Sequence, residues 1–286
     1  MVNSVKIIEC PRDAMQGIKS HFISTETKAK YINSLLKVGF DTIDFGSFVS
    51  PKAIPQMRDT AEVLSKLDLS STTSKLLAIV ANVRGANDAS QFEEIDYLGY
   101  PFSISENFQM RNTHKTIDQS IDTLKEVLAI ANRTNKEVVA YLSMGFGNPY
   151  GDPWSVEIVG EWTEKLSSFG VKILSLSDTI GSSTPEDIDY LFSNLIPSYP
   201  QIEFGAHLHT TPTKWHEKVD SAFKAGCRRF DGAIKGYGGC PMAKDELTGN
   251  MPTEKLLSYF TANKVATNIK PMSFESAYNK ALEVFL

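Results

Sequence analysis

Two histidines spaced two residues apart are the strongest chemical signal in the sequence. His207 and His209 lie in the segment 201–209, whose alternating residues and flanking prolines predict a β-strand. Residues two apart on a strand point to the same side, so both imidazoles project from one face. Two imidazoles at this spacing form half of a metal site. The alternative is a pair that only makes hydrogen bonds, which an isolated His-x-His motif supports equally well.

Polar side chains also follow other predicted strands, at the points where those strands end. In a barrel of parallel strands these ends meet on one face, where active sites lie. The residues at the predicted strand ends are Arg12, Asp13, Gln16, Asp44, Ser47, Asp178, His207 and His209. Asn250 joins them, because it follows the last strand and the glycine-rich run after it. A carboxylate, two imidazoles and an amide oxygen without a thiolate favour Mg²⁺ or Mn²⁺ over structural zinc.

Several of these residues also have a structural interpretation. Arg12 and Asp13 could form an ion pair at the end of a strand, although burial would then require further partners. Asp44 and Asp178 could cap helices or accept buried hydrogen bonds, or they could orient the residues that contact a ligand. The sequence leaves these interpretations open.

Three cysteines occur, an odd number without paired spacing, which is typical of a reducing compartment. We therefore expect a cytoplasmic protein. Cys10 lies on the first predicted strand, and Cys227 stands between a helix-ending glycine and a predicted strand, so both are expected to be buried packing residues. Cys240 instead follows the glycine-rich run 236–239, which predicts a mobile loop that carries a weak acid, because glycine tolerates unusual backbone angles.

The elements that must position these residues alternate regularly along the chain. Predicted strands are 5–10, 42–46, 76–81, 99–104, 138–144, 173–176, 202–209 and 229–234, and predicted helices include 24–38, 116–133, 156–169, 185–195 and 214–225. Eight β-then-α units without a break in composition predict a (β/α)₈ TIM barrel that spans residues 1–286 as one catalytic domain. A doubly wound sheet would carry Gly-x-Gly-x-x-Gly after its first strand, where Pro11–Ala14 stands. The segment 273–285 predicts an extra C-terminal helix over one end of the barrel.

Composition excludes several classes of partner. The net charge of -5 argues against binding to nucleic acid, which requires a basic face. No apolar run approaches the ~20 residues that span a bilayer, so we expect no membrane association. We expect no targeting peptide either, since residues 5–10 already have the pattern of a strand.

Five motifs carry a resemblance to a known family. They are Pro11-Arg12-Asp13 with Gln16, Ser47–Lys52 with Pro55–Met57, Ser175-Leu176 with Asp178–Gly181, His207-Leu208-His209, and Gly238–Pro241 with Gly249-Asn250. The chain resembles, essentially end to end, the 3-hydroxy-3-methylglutaryl-CoA (HMG-CoA) lyases, metal-dependent TIM barrels related to isopropylmalate and homocitrate synthases. Arg-Asp with His-x-His marks the superfamily, and the second and fifth motifs point to the lyase branch.

The resemblance implies an activity and a set of roles. It implies retro-Claisen cleavage of HMG-CoA, an acyl-CoA thioester, to acetyl-CoA and acetoacetate in a homodimer. The implied metal ligands are Asp13, His207, His209 and Asn250. Arg12 would bind substrate and stabilise the enolate, Asp13 or His207 would accept a proton, and Cys240 would donate one. The remaining implied substrate-binding residues are Gln16, Asp44, Ser47 and Asp178.

The chain departs from the family pattern at three places. Ala14 replaces the usual glycine after Arg-Asp, Asp44 replaces a glutamate, and Thr210–Lys214 replace Asp-Thr-Tyr-Gly-Gln after the second histidine. The last change leaves a lyase that acts on a related acyl-CoA as an alternative. A Claisen-type synthase or acyltransferase of the same superfamily is another, but those enzymes resemble this chain less in the segment Ser47–Pro51. A non-catalytic barrel that senses an acyl-CoA or a metal is a further alternative, but binding alone does not require the complete set of residues.

Overall fold

Eight parallel strands close into a barrel in the computed structural model, which describes residues 4–239 and 248–285. Each strand pairs with the next one along the chain, and the eighth pairs with the first. The strands are β1 (Lys6–Glu9), β2 (Thr42–Ser47), β3 (Lys75–Ile79), β4 (Tyr97–Ser103), β5 (Glu137–Ser143), β6 (Ile173–Asp178), β7 (Glu203–Thr210) and β8 (Arg229–Gly232). The predicted TIM-barrel fold is confirmed.

Helices connect the strands and surround the barrel. They are α1 (Pro11–Gln16), α2 (Thr25–Leu36), α3 (Thr60–Leu64), α4 (Val83–Ala89), α5 (Glu106–Thr113), α6 (Ile117–Arg133), α7 (Val156–Ser168), α8 (Pro185–Ser198), α9 (Trp215–Lys224), α10 (Thr253–Ala262) and α11 (Pro271–Phe285). Side-chain caps fix where several begin: Ser24 accepts from the backbone N–H of Thr27, and Thr116 forms a complete capping box. None of the helices in the described ranges is long and apolar enough to cross a membrane.

The interior of the barrel is apolar on one side and polar on the other. Leu77, Ile79, Tyr97, Val139, Tyr141 and Ile173 form the apolar cluster of β3 to β6. Opposite them, buried His209, Arg229 and Asp231 come from β7 and β8. A larger apolar core fills the space between the strands and the surrounding helices. Strand alternation therefore directs the charged side chains of β7 and β8 toward the barrel axis.

The C-terminal helix α11 packs along α2 on the outside of the barrel. Phe285 contacts Tyr31 with ring centroids 6.0 Å apart, and Phe274 contacts Phe40 at 6.4 Å. The extra helix is therefore present as predicted. Its predicted place over one end of the barrel is wrong, because its apolar face is buried against a neighbouring helix instead.

A short strand that the sequence did not predict completes the fold. β9 (Gly249–Asn250) runs antiparallel to the end of β7, with Asn250 paired to His209. Before it, β8 ends at Gly232, two residues before the predicted end of that strand. A 3₁₀ turn then spans Ile234–Gly236. The pairing of β9 with β7 places Asn250 at the carboxyl end of the barrel.

Candidate metal and active site

A cavity of about 420 Å³ lies at the carboxyl ends of the strands. Six of the residues predicted from the sequence line it: Arg12, Asp13, Gln16, Ser47, His207 and His209. Three others, Asp44, Asp178 and Asn250, are buried just outside its wall. Cys240 lies outside the described residues. The barrel thus brings together side chains from β1–α1, β2 and β7.

Three side chains form a group that could hold a metal ion. Ligand atoms of Asp13, His207 and His209 all lie within 4.8 Å of one another. The Nδ2 of Asn250 donates a 2.7 Å hydrogen bond to Oδ2 of Asp13, so the fourth predicted ligand is adjacent to the first. Mixed nitrogen and oxygen donors without a thiolate are the set that Mg²⁺ or Mn²⁺ would accept.

The hydrogen bonds of His209 indicate which nitrogen faces the group. Its Nδ1–H donates to the backbone carbonyl of Thr179 at 2.9 Å. Its Nε2 is buried and has no hydrogen-bond partner among the described residues. Burial, followed by the charge of His207, lowers the pKa of His209, which favours a neutral ring. A neutral imidazole with an unpartnered buried Nε2 fits a metal ligand.

His207 has a different partner. Its Nδ1 lies 3.0 Å from Oδ2 of Asp231, a buried carboxylate of β8. Burial by itself lowers the pKa of His207, but the hydrogen bond and charge of Asp231 outweigh it and raise this pKa. The sequence analysis missed Asp231. The feature of the sequence that could have indicated it is a lone carboxylate within an otherwise apolar part of the eighth predicted strand.

Arg12 is held by two carboxylates at the wall of the cavity. Its Nε and Nη2 donate to Asp44, the Nε at 3.0 Å to Oδ2, and its Nη1 donates to Oδ1 of Asp13 at 2.9 Å. Burial lowers the pKa of Arg12, but the charges of Asp44 and Asp13 raise it by more. Burial also raises the pKa of Asp44 to about 6, against the opposing effect of Arg12. Arg12 is therefore both an ion-pair partner and a fixed cation that lines the cavity.

Asp44 and Asp178, which the sequence analysis expects to bind substrate, are not among the residues that line the described cavity. Asp44 is fully buried beneath Arg12. Asp178 is fully buried and accepts hydrogen bonds from Ser183 and, at 2.6 Å, from Nζ of Lys218. Both carboxylates act on residues of the protein, which is the structural interpretation that the sequence left open.

The sequence model of the HMGL-like family matches residues 5–280 of the chain. The chain belongs to this family. It is 34% identical over 260 residues to a hydroxymethylglutaryl-CoA lyase of Bacillus subtilis, covering 91% of this chain and 86% of the relative. It is 33% identical over 279 residues to the mitochondrial hydroxymethylglutaryl-CoA lyase of Macaca fascicularis, covering 96% and 84%.

Solved structures of HMG-CoA lyases have the same fold as this HMGL-like chain. The Bacillus subtilis HMG-CoA lyase superposes with a TM-score of 0.91 at 33% identity, covering 99% of this chain and 95% of that one. The HMG-CoA lyase of Acinetobacter baumannii, in complex with coenzyme A and 3-methylmalate, superposes with a TM-score of 0.89 at 28% identity, covering 99% and 91%.

Gln16 and Ser47 complete the predicted part of this HMGL-like cavity. The Nε2 of Gln16 donates to Oδ1 of Asp13 at 2.7 Å, because residues three apart on α1 share a face. The Oγ of Ser47 donates to the carbonyl of Ile79 at 3.3 Å. Gln16 thus orients a candidate ligand, while Ser47 is held at the end of β2.

The cavity of the HMGL-like chain also contains residues that the sequence analysis did not single out. Tyr141, Asn112, Lys115 and Ser143 are among those that line it. The hydroxyl of Tyr141 is buried without a hydrogen-bond partner among the described residues, and burial raises its pKa well above the usual value. Strand alternation along β5 would place Tyr141 and Ser143 on the same face and was the available signal.

Gly238 shows why the loop after β8 needs glycine. Its φ is +83°, and a Cβ there would lie 2.6 Å from the carbonyl oxygen of Asp13 and 2.9 Å from Nδ2 of Asn250. A side chain at this position would therefore displace two of the candidate metal ligands. The backbone approaches the metal group closely just before the position of Cys240.

The segment Thr210–Lys214, where the chain departs from the family pattern, lies beside the cavity without lining it. Thr210 is buried at the end of β7 and pairs with Gly249. Among the described residues, the lining of the cavity ends on β7 at His209. The departure therefore lies outside the described lining of the cavity.

Proposed function

We propose that this HMGL-like protein cleaves HMG-CoA to acetyl-CoA and acetoacetate, as one catalytic domain of residues 1–286. The observation that carries the proposal is the convergence of Asp13, His207 and His209 beside the buried cation Arg12 in one cavity. The names of the relatives support the reaction, and the coenzyme A complex of the Acinetobacter baumannii lyase supports an acyl-CoA substrate.

The cofactor in this proposal is Mg²⁺ or Mn²⁺. Asp13, His207, His209 and Asn250 would hold it, and the unpartnered Nε2 of His209 supports this assignment. When bound, the cation would act as a Lewis acid on the substrate and would lower the pKa of its tertiary hydroxyl.

The protein's own residues carry the remaining steps. In this proposal Asp13 or His207, both of which line the cavity, accepts the hydroxyl proton. The C2–C3 bond then breaks, its electron pair moves to C2, and the C3–O bond becomes the carbonyl of acetoacetate. Arg12 stabilises the negative charge that develops on the thioester oxygen. Cys240 donates a proton to C2, which completes acetyl-CoA.

The other predicted residues have supporting roles in this proposal. Gln16 and Ser47 face the cavity and contact substrate. Asp44 acts through Arg12, and Asp178 acts through Lys218. We further propose that the protein acts as a homodimer in the cytoplasm, with no nucleic acid or membrane partner. The net charge of -5 and the three cysteines without paired spacing support this view.

A related acyl-CoA lyase or a Claisen-type synthase or acyltransferase remains the alternative within the superfamily. The departure at Thr210–Lys214 is its motivation. That segment does not line the described cavity, which favours HMG-CoA over a different acyl group.

Activity with a panel of thioesters tests the proposal. Pure protein with Mg²⁺ or Mn²⁺ should release acetyl-CoA from HMG-CoA faster than from other 3-hydroxyacyl-CoA thioesters. Chelation should abolish turnover, and either cation should restore it. His209→Ala should lose both metal binding and turnover, whereas His216→Ala, a histidine on α9 that packs against Trp215 and Tyr259, should keep both. Equal turnover by the chelated protein, or by His209→Ala, would refute the metal site.

A further inference from the structure

Asp231 lies directly behind one of the two candidate histidine ligands. Its Oδ2 is 3.0 Å from Nδ1 of His207, and its side chain is 1% exposed. It is not among the residues that line the described cavity. The contact crosses from β7 to β8 and uses Nδ1 of His207, which leaves Nε2 for a metal ion.

The surroundings of Asp231 include a buried cation. Arg229, two residues earlier on the same face of β8, is a fully buried cation. Burial lowers the pKa of Arg229, but the surrounding negative charges, of which that of Asp231 has the largest effect, together raise it. Three buried atoms of this pair have no hydrogen-bond partner among the described residues: Nε and Nη2 of Arg229 and Oδ1 of Asp231. The guanidinium and the carboxylate therefore interact through their charges.

The two histidines therefore differ in what holds them. The Nδ1–H of His209 donates to a neutral backbone carbonyl, that of Thr179. His207 has a carboxylate in the same place. A carboxylate that accepts a hydrogen bond from Nδ1 keeps the proton of a ligating imidazole on Nδ1. It also makes Nε2, the nitrogen left for the metal, a stronger electron donor.

We propose that Asp231 is a positioning residue that holds His207 in the Nδ1–H form with Nε2 directed toward the metal. This inference rests on the proposed metal site and deepens it. It makes His207 the stronger of the two histidine ligands. Asp231 reaches the site through His207, and its Oδ2 also accepts a 3.5 Å hydrogen bond from Oγ of Ser175 on β6.

Two variants and one control test this role. Asp231→Asn has nearly the same shape, but its amide can present either oxygen or NH₂ to Nδ1, and Asp231→Ala removes the partner. Asp220→Asn changes a carboxylate on α9 that contacts Lys224 and Tyr259 instead. We expect the dissociation constant for Mn²⁺, measured on metal-free protein by electron paramagnetic resonance, to rise roughly 10–100-fold in both Asp231 variants. Asp220→Asn should bind like the native protein.

Nitrogen-15 NMR of the metal-free protein supplies a second readout that does not depend on metal binding. His207 of the native protein should carry its proton on Nδ1, and Asp231→Ala should show both tautomers. A residue with only a structural role would leave the tautomer unchanged. A native His207 with its proton on Nε2, or Asp231 variants that bind Mn²⁺ within twofold of native, would overturn the inference.

The same titrations separate this inference from the metal site on which it rests. If native protein binds Mn²⁺, His209→Ala does not, and Asp231→Asn binds as tightly as native, only the role of Asp231 fails. If native protein binds no Mn²⁺, the proposed site and the positioning role both fail.

Discussion

At Arg12, two carboxylates hold a single guanidinium against the wall of the cavity. Asp44 takes Nε and Nη2, and Asp13 takes Nη1. Each contact fixes the orientation of a planar group with five donors, so the positive charge is already in place before substrate binds. A preoriented charge is most effective where negative charge develops during the reaction.

Arg12→Gln tests this role at the scale of one residue. We expect kcat to fall roughly 10²–10³-fold or more with little change in KM, because the lost interaction belongs to the transition state. Steady-state kinetics with HMG-CoA measures both constants. Arg84→Gln is the matched control, since the Arg84 side chain is 91% exposed on α4 and should leave both constants unchanged. A higher KM with unchanged kcat would show that Arg12 only binds substrate.

At this scale the sequence predicted the residues that line the cavity better than those behind them. His207 and His209 could be predicted from the sequence because strand alternation alone places them on one face. Asp231 and Lys218 could not be predicted, because their contacts depend on the register of β7 with β8 and on the packing of α9. Such contacts leave no regular spacing in the sequence.

At the scale of elements, Lys218 connects α9 to the ends of two strands. Its Nζ donates to Asp178 of β6 at 2.6 Å, to the carbonyl of His209 at 2.9 Å and to that of Gly181 at 3.1 Å. Lys218 is 1% exposed, so it is a buried cation with three acceptors. It fixes the backbone of a candidate metal ligand from outside the barrel.

Lys218→Met should destabilise the fold, because the substitution leaves the carboxylate of Asp178 buried without its charged partner. We expect the free energy of unfolding in urea to fall by about 3–5 kcal/mol. Lys224→Met, which removes an exposed pair with Asp220 on the same helix, should change it by less than about 1 kcal/mol. Equal losses in the two variants would contradict a special role for the buried pair.

Among the elements, the sequence predicted the strands and helices with strong periodicity and missed those that depend on contacts. β9 has only two residues, Gly249–Asn250, and exists because it pairs with the end of β7. The position of α11 was also missed, since its apolar face fits either an end of the barrel or α2. Periodicity identifies the buried face of a helix without identifying what covers it.

At the scale of the whole molecule, Glu9 joins the first strand to the last part of the barrel. It is fully buried, and it accepts hydrogen bonds from the backbone N–H of Ile234 at 2.9 Å and from Oγ1 of Thr253 at 2.6 Å. These two residues flank the segment that contains Asn250. Burial raises the pKa of Glu9 to about 8, the charge of Glu254 adds to the effect, and the two hydrogen bonds oppose it.

The raised pKa of Glu9 predicts a specific dependence of stability on pH. The folded protein keeps the proton on Glu9 until pH approaches about 8, whereas an unfolded glutamate releases it near 4.5. The contribution of this proton to stability is therefore complete below pH 4.5 and is lost as pH rises to about 8, at no more than about 1.4 kcal/mol per pH unit. Glu9→Gln keeps a neutral group at every pH, so its free energy of unfolding in urea should exceed that of the native protein increasingly across this window. Glu161→Gln, on the exposed face of α7, should give a difference that does not change with pH. A difference for Glu9→Gln that is equally constant would mean that Glu9 is ionised in the folded protein.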